Sequence, residues 1–275
     1  MTTLKKGNKG DEVKTLQTLL GITADGIFGN DTEKAVKAYQ KAHNLTADGI
    51  VGNKTWAALQ VSPPKGTIVI LDNGHGSNTP GKCSPDKSIR EYAYTRDIVK
   101  RIAKRLGDNG VKAYILVPEE TDISLAERCR RANAVKGDKI LISVHLNAAG
   151  GDGQWHPAGG WCAFTTRGQT KSDALAECLY DAAEAHIGKY AAIMAEGKKK
   201  GLYSDKQVPI RTDKSDGDRD KEEQFYIIRN VSCPAVLVEN FFQDSKRDRD
   251  WLLSEEGKQT IVNIHVDGIM RYLKK

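Results

Sequence analysis

Beyond residue 67, four short runs are apolar at successive positions: Ile68–Leu71, Tyr114–Val117, Ile140–Val144 and Ala235–Val238. A strand with one wet face alternates polar and apolar residues, so unbroken apolar runs predict strands covered on both faces. The stretches between them read as the covering helices. After Glu91, Ile98, Ile102 and Leu106 fall four apart, with Val99 and Ala103 beside them. Further helices are expected at Leu125–Ala134, Ala174–Ala185 and Gly257–Leu273. Strands alternating with amphipathic helices predict an α/β domain, its mainly parallel sheet flanked by helices, over residues 67–275.

The first 61 residues follow a different pattern. Ala24-Asp25-Gly26-Ile27-Phe28-Gly29-Asn30-Asp31-Thr32 recurs as Ala47-Asp48-Gly49-Ile50-Val51-Gly52-Asn53-Lys54-Thr55. Asp-Gly is a turn signal, and Asn followed by Thr opens a helical stretch. Val13, Leu16, Leu19 and Leu20 share one helical face, and Ala35, Val36, Tyr39 and Ala42 repeat that spacing. Three short helices joined by two matching turns, a small all-α domain over residues 1–61, is the expectation. Two copies are too few for a solenoid. The doubled motif, with Gln40 and Trp56 around it, resembles the three-helix peptidoglycan-binding domain carried by many cell-wall hydrolases. Residues 62–66, which include Pro63-Pro64, read as a short stiff linker.

Three of the strand runs end in residues suited to catalysis. The first leads into Asp72-Asn73-Gly74-His75-Gly76, the second into Ser143-Val144-His145-Leu146-Asn147, and the third into Glu239-Asn240. In open α/β sheets, ligands bind beyond the carboxyl ends of the strands, so these residues are expected to converge on one edge. Glycines on either side of His75 allow a sharp turn that brings the imidazole out of the sheet. Two imidazoles and a carboxylate suit Zn²⁺. The carboxylate is either Glu239 or Glu91, and spacing alone leaves both open.

Residues 67–273 resemble the zinc-dependent N-acetylmuramoyl-L-alanine amidases of the third amidase family. The matching segments, in order, are 70–76 (Ile-Leu-Asp-Asn-Gly-His-Gly), 90–92 (Arg-Glu-Tyr), 121–128 (Thr-Asp-Ile-Ser-Leu-Ala-Glu-Arg), 131–133 (Arg-Ala-Asn), 142–148 (Ile-Ser-Val-His-Leu-Asn-Ala) and 234–239 (Pro-Ala-Val-Leu-Val-Glu). The resemblance implies one zinc ion held by His75, Glu91 and His145, with Glu239 as the catalytic residue. It implies cleavage of the amide between N-acetylmuramic acid and the L-alanine of the stem peptide by zinc-activated water, Glu239 taking the water's proton and delivering it to the leaving amine.

Weaker signals surround this set. The loop from Ala149 to Trp161 holds five glycines, with Trp155, His156 and Trp161. Asn147, Trp155 and His156 are candidate substrate contacts; the alternative is a compliant connection with one Trp anchored in the core. Residues 196–224 mix Lys198-Lys199-Lys200 with Arg211, Asp213, Asp216, Asp218, Arg219, Asp220, Glu222 and Glu223, and read as a solvated loop at the rim of the cleft. His43, His186 and His265 fall in helical patterns and read as surface or packing residues. Five sparse cysteines, odd in number, predict free thiols rather than a disulfide framework.

The net charge of +6 is spread along the chain, with eight lysines against six carboxylates in residues 1–61, so no basic patch marks a nucleic-acid partner. The apolar runs are too short to insert in a membrane. The expected partner is bacterial peptidoglycan. The N-terminus lacks the apolar stretch of a signal peptide, which favours an endolysin made in a host cytoplasm and dependent on a holin for access to the wall. The rivals are a bacterial autolysin or spore-cortex amidase, a peptidase acting within the stem, and an inactive wall-binding module.

Overall fold

The structure, a computed structural model, describes residues 3–42, 45–60, 66–204 and 207–274. Apart from Gly66, the expected linker lies outside the described residues, as does His43. The chain divides into two compact units, Met1–Ser62 and Pro63–Leu273.

The first unit contains α1 (Asp11–Leu20), α2 (Asn30–Ala42) and α3 (Asn53–Gln60). Val13, Leu16, Phe28, Val36, Val51, Trp56 and Leu59 form its core. Gly21 ends α1 in the left-handed region with φ 70°, the conformation that glycine adopts without penalty. Each copy of the repeat is clamped by a glutamine. The Gln17 amide donates to Asp25 Oδ1 (2.6 Å), the Ile27 carbonyl (3.1 Å) and Thr32 Oγ1 (3.0 Å), and its Oε1 accepts from the Gly26 N–H at 2.8 Å. Gln40 repeats the set on Asp48, Ile50, Thr55 and Gly49 at 2.8, 2.9, 3.1 and 2.9 Å. The turn signal is thus half of a longer pattern whose other half is a buried amide.

The second unit contains β1 (Ile68–Asn73), α4 (Glu91–Asp108), β2 (Lys112–Ile115), α5 (Leu125–Ala134), β3 (Lys139–Asn147), β4 (Cys162–Thr165), α6 (Lys171–His186), α7 (Gly188–Lys199), β5 (Lys221–Glu222), α8 (Tyr226–Arg229), β6 (Ala235–Phe242), α9 (Lys246–Leu253) and α10 (Glu255–Leu273). They build one six-stranded sheet in the order β2-β1-β3-β6-β4-β5. Pairing is parallel throughout except between β4 and β6. Alternation along the strands divides the core in two. Val69, Leu71, Ile142 and Val238 pack with Ile98, Ile102, Leu179 and Ile264 on one side. Ile70, Leu141 and Leu237 pack with Cys129, Ile227 and Ile228 on the other. Among the described residues, no helix is long and apolar enough to cross a membrane.

The structure corrects several expectations. The second strand runs Lys112–Ile115, not Tyr114–Val117, and lies at the sheet edge, where Tyr114 is 41% exposed. Leu116 and Val117 are buried beyond its end, so their hydrophobicity reflects the core and not the ladder. Residues 196–224 are not one solvated loop. Lys198 and Lys199 close α7, and Asp220 is buried. Arg219 reaches Glu177, Asp181 and Glu184 on α6.

Candidate metal centre

Because β1, β3 and β6 run parallel, their carboxyl ends share one edge. His75 lies two residues past β1, while His145 and Glu239 are directly paired in register on β3 and β6. Paired residues on adjacent strands project from the same face, so these two side chains share a face of the sheet. Glu91 is the first residue of α4, where the positive end of the helix favours a carboxylate.

His75, Glu91 and His145 converge, with one potential ligand atom from each lying within 4.8 Å of the others. Glu91 Oε1 is 3.5 Å from His75 Nε2 and 3.1 Å from His145 Nδ1. The imidazoles meet edge to face, centroids 5.1 Å apart. Glu91 is 1% exposed, and its remaining partners are the Leu146 N–H on Oε1 (3.0 Å) and the Gln243 amide on Oε2 (3.0 Å).

Two strained backbone positions aim this set. His75 itself takes the left-handed conformation at φ 61°, at a cost of order 1–3 kcal/mol for a non-glycine residue. The flanking glycines are needed for close approach instead of left-handed freedom. A Cβ at Gly74 would lie 2.4 Å from His145 Nδ1, and one at Gly76 would lie 1.9 Å from the Asp122 nitrogen. Two guanidiniums hold the His75 carbonyl: Arg96 Nη1 at 3.0 Å and Arg128 Nη2 at 3.4 Å. Arg128 is anchored by Asp122 at 2.6 Å and by the buried Asp72 at 2.5 Å. On β6, Phe241 sits at φ 67° where the β3–β6 register shifts. A bulge of this kind turns the strand and re-aims its side chains. Asn240 locks it, donating to the His145 carbonyl (3.2 Å) and accepting from the indole of the buried Trp161 (3.2 Å).

Burial lowers the His75 pKa to about 4, outweighing the attraction of Glu91 and reinforced by His145, so the ring is neutral with a free lone pair. Burial also opposes charge on Glu91, but the bond and charge of His145, with His75 and the Leu146 N–H, hold its pKa below the ordinary value. For His145, burial acts downward and Glu91 more than reverses it. Burial pushes Glu239 up to about 8 against the pull of His145, and the charge of Glu91 adds to the rise. Glu239 Oε2 is shut off from solvent and accepts no hydrogen bond. Two imidazoles with a buried carboxylate that has no Lys or Arg partner among the described residues form a donor set that fits a metal ion.

The three residues proposed as substrate contacts lie outside this cluster. Asn147 ends β3 and accepts from the Ala148 N–H. His156 pairs with Asp152 at 2.9 Å. Trp155 stacks under Lys246 and Arg249. Their loop is pinned and not compliant: Asp244 accepts from the Ala149 and Gly150 N–H groups, and Asp248 from that of Gly160. Of its tryptophans, Trp161 is the one anchored in the core. The supporting residues Gln243, Asn240, Arg96 and Asp244 carried no signal of their own in the sequence. Arg128 lies in the 121–128 segment, where only its position in the motif marked it.

An open α/β sheet with a His–Glu–His cluster at the carboxyl edge, beside a half-buried glutamate with an enclosed oxygen, defines a class of centre able to hold a metal. The sequence profile of N-acetylmuramoyl-L-alanine amidase matches residues 69–271, and the chain belongs to this family. Residues 9–59 match the profile of a putative peptidoglycan binding domain. Among curated proteins, the endolysin of Bacillus phage SPP1 is 29% identical over 215 residues, covering 75% of this chain and 66% of that protein. The probable cell wall amidase LytH of Staphylococcus epidermidis is 25% identical, covering 78% and 61%. The chain thus spans about two thirds or less of these relatives. The fold is shared with the catalytic domain of CwlV from Bacillus (Paenibacillus) polymyxa, with TM-score 0.60 and 18% identity over 76% of this chain and 98% of that one. It is shared equally with an N-acetylmuramoyl-L-alanine amidase from Clostridium difficile 630, with TM-score 0.59 and 22% identity over 76% and 97%.

Proposed function

We propose that this chain is a zinc-dependent peptidoglycan hydrolase that cleaves the amide joining N-acetylmuramic acid to the L-alanine of the stem peptide. His75, Glu91 and His145 hold the metal, and Glu239 is the catalytic residue. The observation that carries the reading is Glu239: a half-buried glutamate with one enclosed, unpartnered carboxylate oxygen, paired in register with His145. A zinc ion in such a site acts as a Lewis acid toward an amide carbonyl and makes water acidic enough to attack near neutral pH. Glu239 then has one task. Its carboxylate takes the proton of the attacking water and returns it to the amine that leaves. The strained His75 and the bulge at Phe241 fix the geometry in advance, so little reorganisation is left for the reaction itself.

The N-terminal unit holds the enzyme on its insoluble substrate, raising its local concentration without adding contacts at the centre. The SPP1 relative favours an endolysin, made in the host cytoplasm and released onto the wall; dependence on a holin belongs to the same reading. The LytH relatives favour a bacterial wall amidase. Digestion of purified peptidoglycan tests the activity. New L-alanine amino termini without new reducing sugars are expected, abolished by a chelator and restored by Zn²⁺. Amines from other stem residues would instead make it a peptidase, and no release would make it a binding module.

A further inference from the structure

A second set of acidic side chains meets on the other side of β4. Asp173 is in the first turn of α6, and Asp218 and Asp220 lie just ahead of β5. One carboxylate oxygen from each falls within 4.8 Å of the others. Each carboxylate has part of its capacity used. Asp173 accepts from the Thr170 N–H, Asp218 Oδ2 from the Gln169 amide (2.8 Å), and Asp220 Oδ2 from the Thr165 hydroxyl (2.6 Å). Asp218 Oδ1 and Asp220 Oδ1 are shut off from solvent and accept no hydrogen bond, and Asp220 as a whole is 1% exposed. Ionised carboxylates only accept, so without a cation these oxygens can be satisfied only by a proton held between Asp220 and Asp218; burial and the neighbouring carboxylates of Asp218 and Asp173 push the Asp220 pKa up to about 7. Arg219, between them in sequence, turns away to Glu177, Asp181 and Glu184. No Lys, Arg or His forms an ion pair with any of the three aspartates among the described residues.

We infer that Asp173, Asp218 and Asp220 form a second cation site, for a hard divalent ion of the Ca²⁺ kind, that fastens the segment ahead of β5 to α6 and the end of β4. An all-oxygen donor set is what such ions take, and it differs in kind from the imidazole-rich set at the sheet edge. The Thr165 hydroxyl stands beside the cluster as a neutral oxygen. The positive end of α6 opposes a cation here, but a partial helix charge is outweighed by three full carboxylate charges. The role is structural. Cys162 pairs with Glu239, Thr165 lies three residues further along β4, and β4 runs antiparallel to β6. The cluster is therefore displaced by about 10 Å along the strand, away from the edge that carries the metal centre.

The test is calorimetric titration of CaCl₂ into the full chain, its first metal retained, beside thermal melts with and without Ca²⁺. One Ca²⁺ per chain is expected in the wild type and equally in His75→Ala, with a rise in Tm of several degrees. Asp218→Asn, at a half-buried position, should bind Ca²⁺ at least about 10-fold more weakly while hydrolysing peptidoglycan at the wild-type rate. Without Ca²⁺, Asp220→Asn should melt at or above the wild type, because repulsion is relieved. Absence of Ca²⁺ uptake by the folded wild type at millimolar concentration overturns the inference. So does uptake that both asparagine variants leave unchanged.

Discussion

Gln17 and Glu91 are each 1% exposed, yet they are held in opposite ways. Every partner of Gln17 lies within 15 residues along the chain, and its donors and acceptor are all used. Glu91 draws its partners from Leu146 and Gln243, 55 and 152 residues away. Beside it, Glu239 keeps an oxygen with no partner at all. A buried polar group that is fully satisfied by its own neighbourhood stabilises a turn and does little else. One assembled from distant strands, with capacity left over, is costly to keep and available for chemistry. The N-terminal unit is of the first kind and the sheet edge of the second.

The sharpest way to break this contrast is at Glu239. Glu239→Gln keeps the shape and should lower the rate of amide hydrolysis by about 10²–10⁴-fold while metal content stays near one per chain. His75→Ala should lose the metal as well as the activity. Metal analysis of the two purified variants decides, and loss of metal in the glutamine variant would exchange the roles proposed for Glu91 and Glu239. Next comes Gln243→Leu. It removes the amide that orients Glu91 but no ligand, so zinc affinity should fall about 10–100-fold with the fold kept; competition with a chromophoric chelator measures this.

In the N-terminal unit the expected losses are of stability alone. Gln17→Ala and Gln40→Ala should each cost about 1–3 kcal/mol in unfolding of that unit, with the metal untouched. Because their bond sets match, the two costs should agree; unequal denaturation midpoints would show that the repeat is not energetically a repeat. The smallest effect concerns pH. His265 is buried in α10, donates from Nδ1 to the Ile261 carbonyl, and has no partner for Nε2. Burial lowers its pKa from 6.5 to about 4. Between those values the unfolded chain takes up a proton that the folded chain does not, so stability is full above the unfolded pKa and falls with decreasing pH. About 1 kcal/mol should be lost between pH 7 and pH 5.5, and His265→Leu should flatten that slope in pH-dependent melts.

Legibility in the sequence followed the same division. The helix Leu125–Ala134 stands where its spacing places it, because Ser124 caps it through the Glu127 N–H at 3.2 Å. The doubled Asp-Gly turn was visible for the same local reason. By contrast, β4 (Cys162–Thr165) has only four residues, follows a glycine-rich loop and owes its existence to pairing with β6. Strand β2 was misplaced by two residues because an edge strand carries a weak pattern and the buried Leu116 and Val117 follow it. At the centre, the residue types and motif order singled out His75, Glu91, His145 and Glu239. Nothing in the sequence marked the left-handed backbone at His75, the bulge at Phe241, or the reach of Gln243 to Glu91.

By itself the sequence determined an all-α unit ahead of a mainly parallel α/β unit, the two matching turns, and the residue types gathered at the strand ends. Those follow from short-range periodicity and turn chemistry, which act over a few residues. Only the tertiary structure decided which of the two glutamates sits between the histidines, and which keeps an unpartnered oxygen. It also decided that Asp173 shares one cluster with Asp218 and Asp220, which lie 45 and 47 residues further along the chain. The physical reason is that burial and pairing are set by strand register and helix docking, and these bring together residues the sequence keeps far apart.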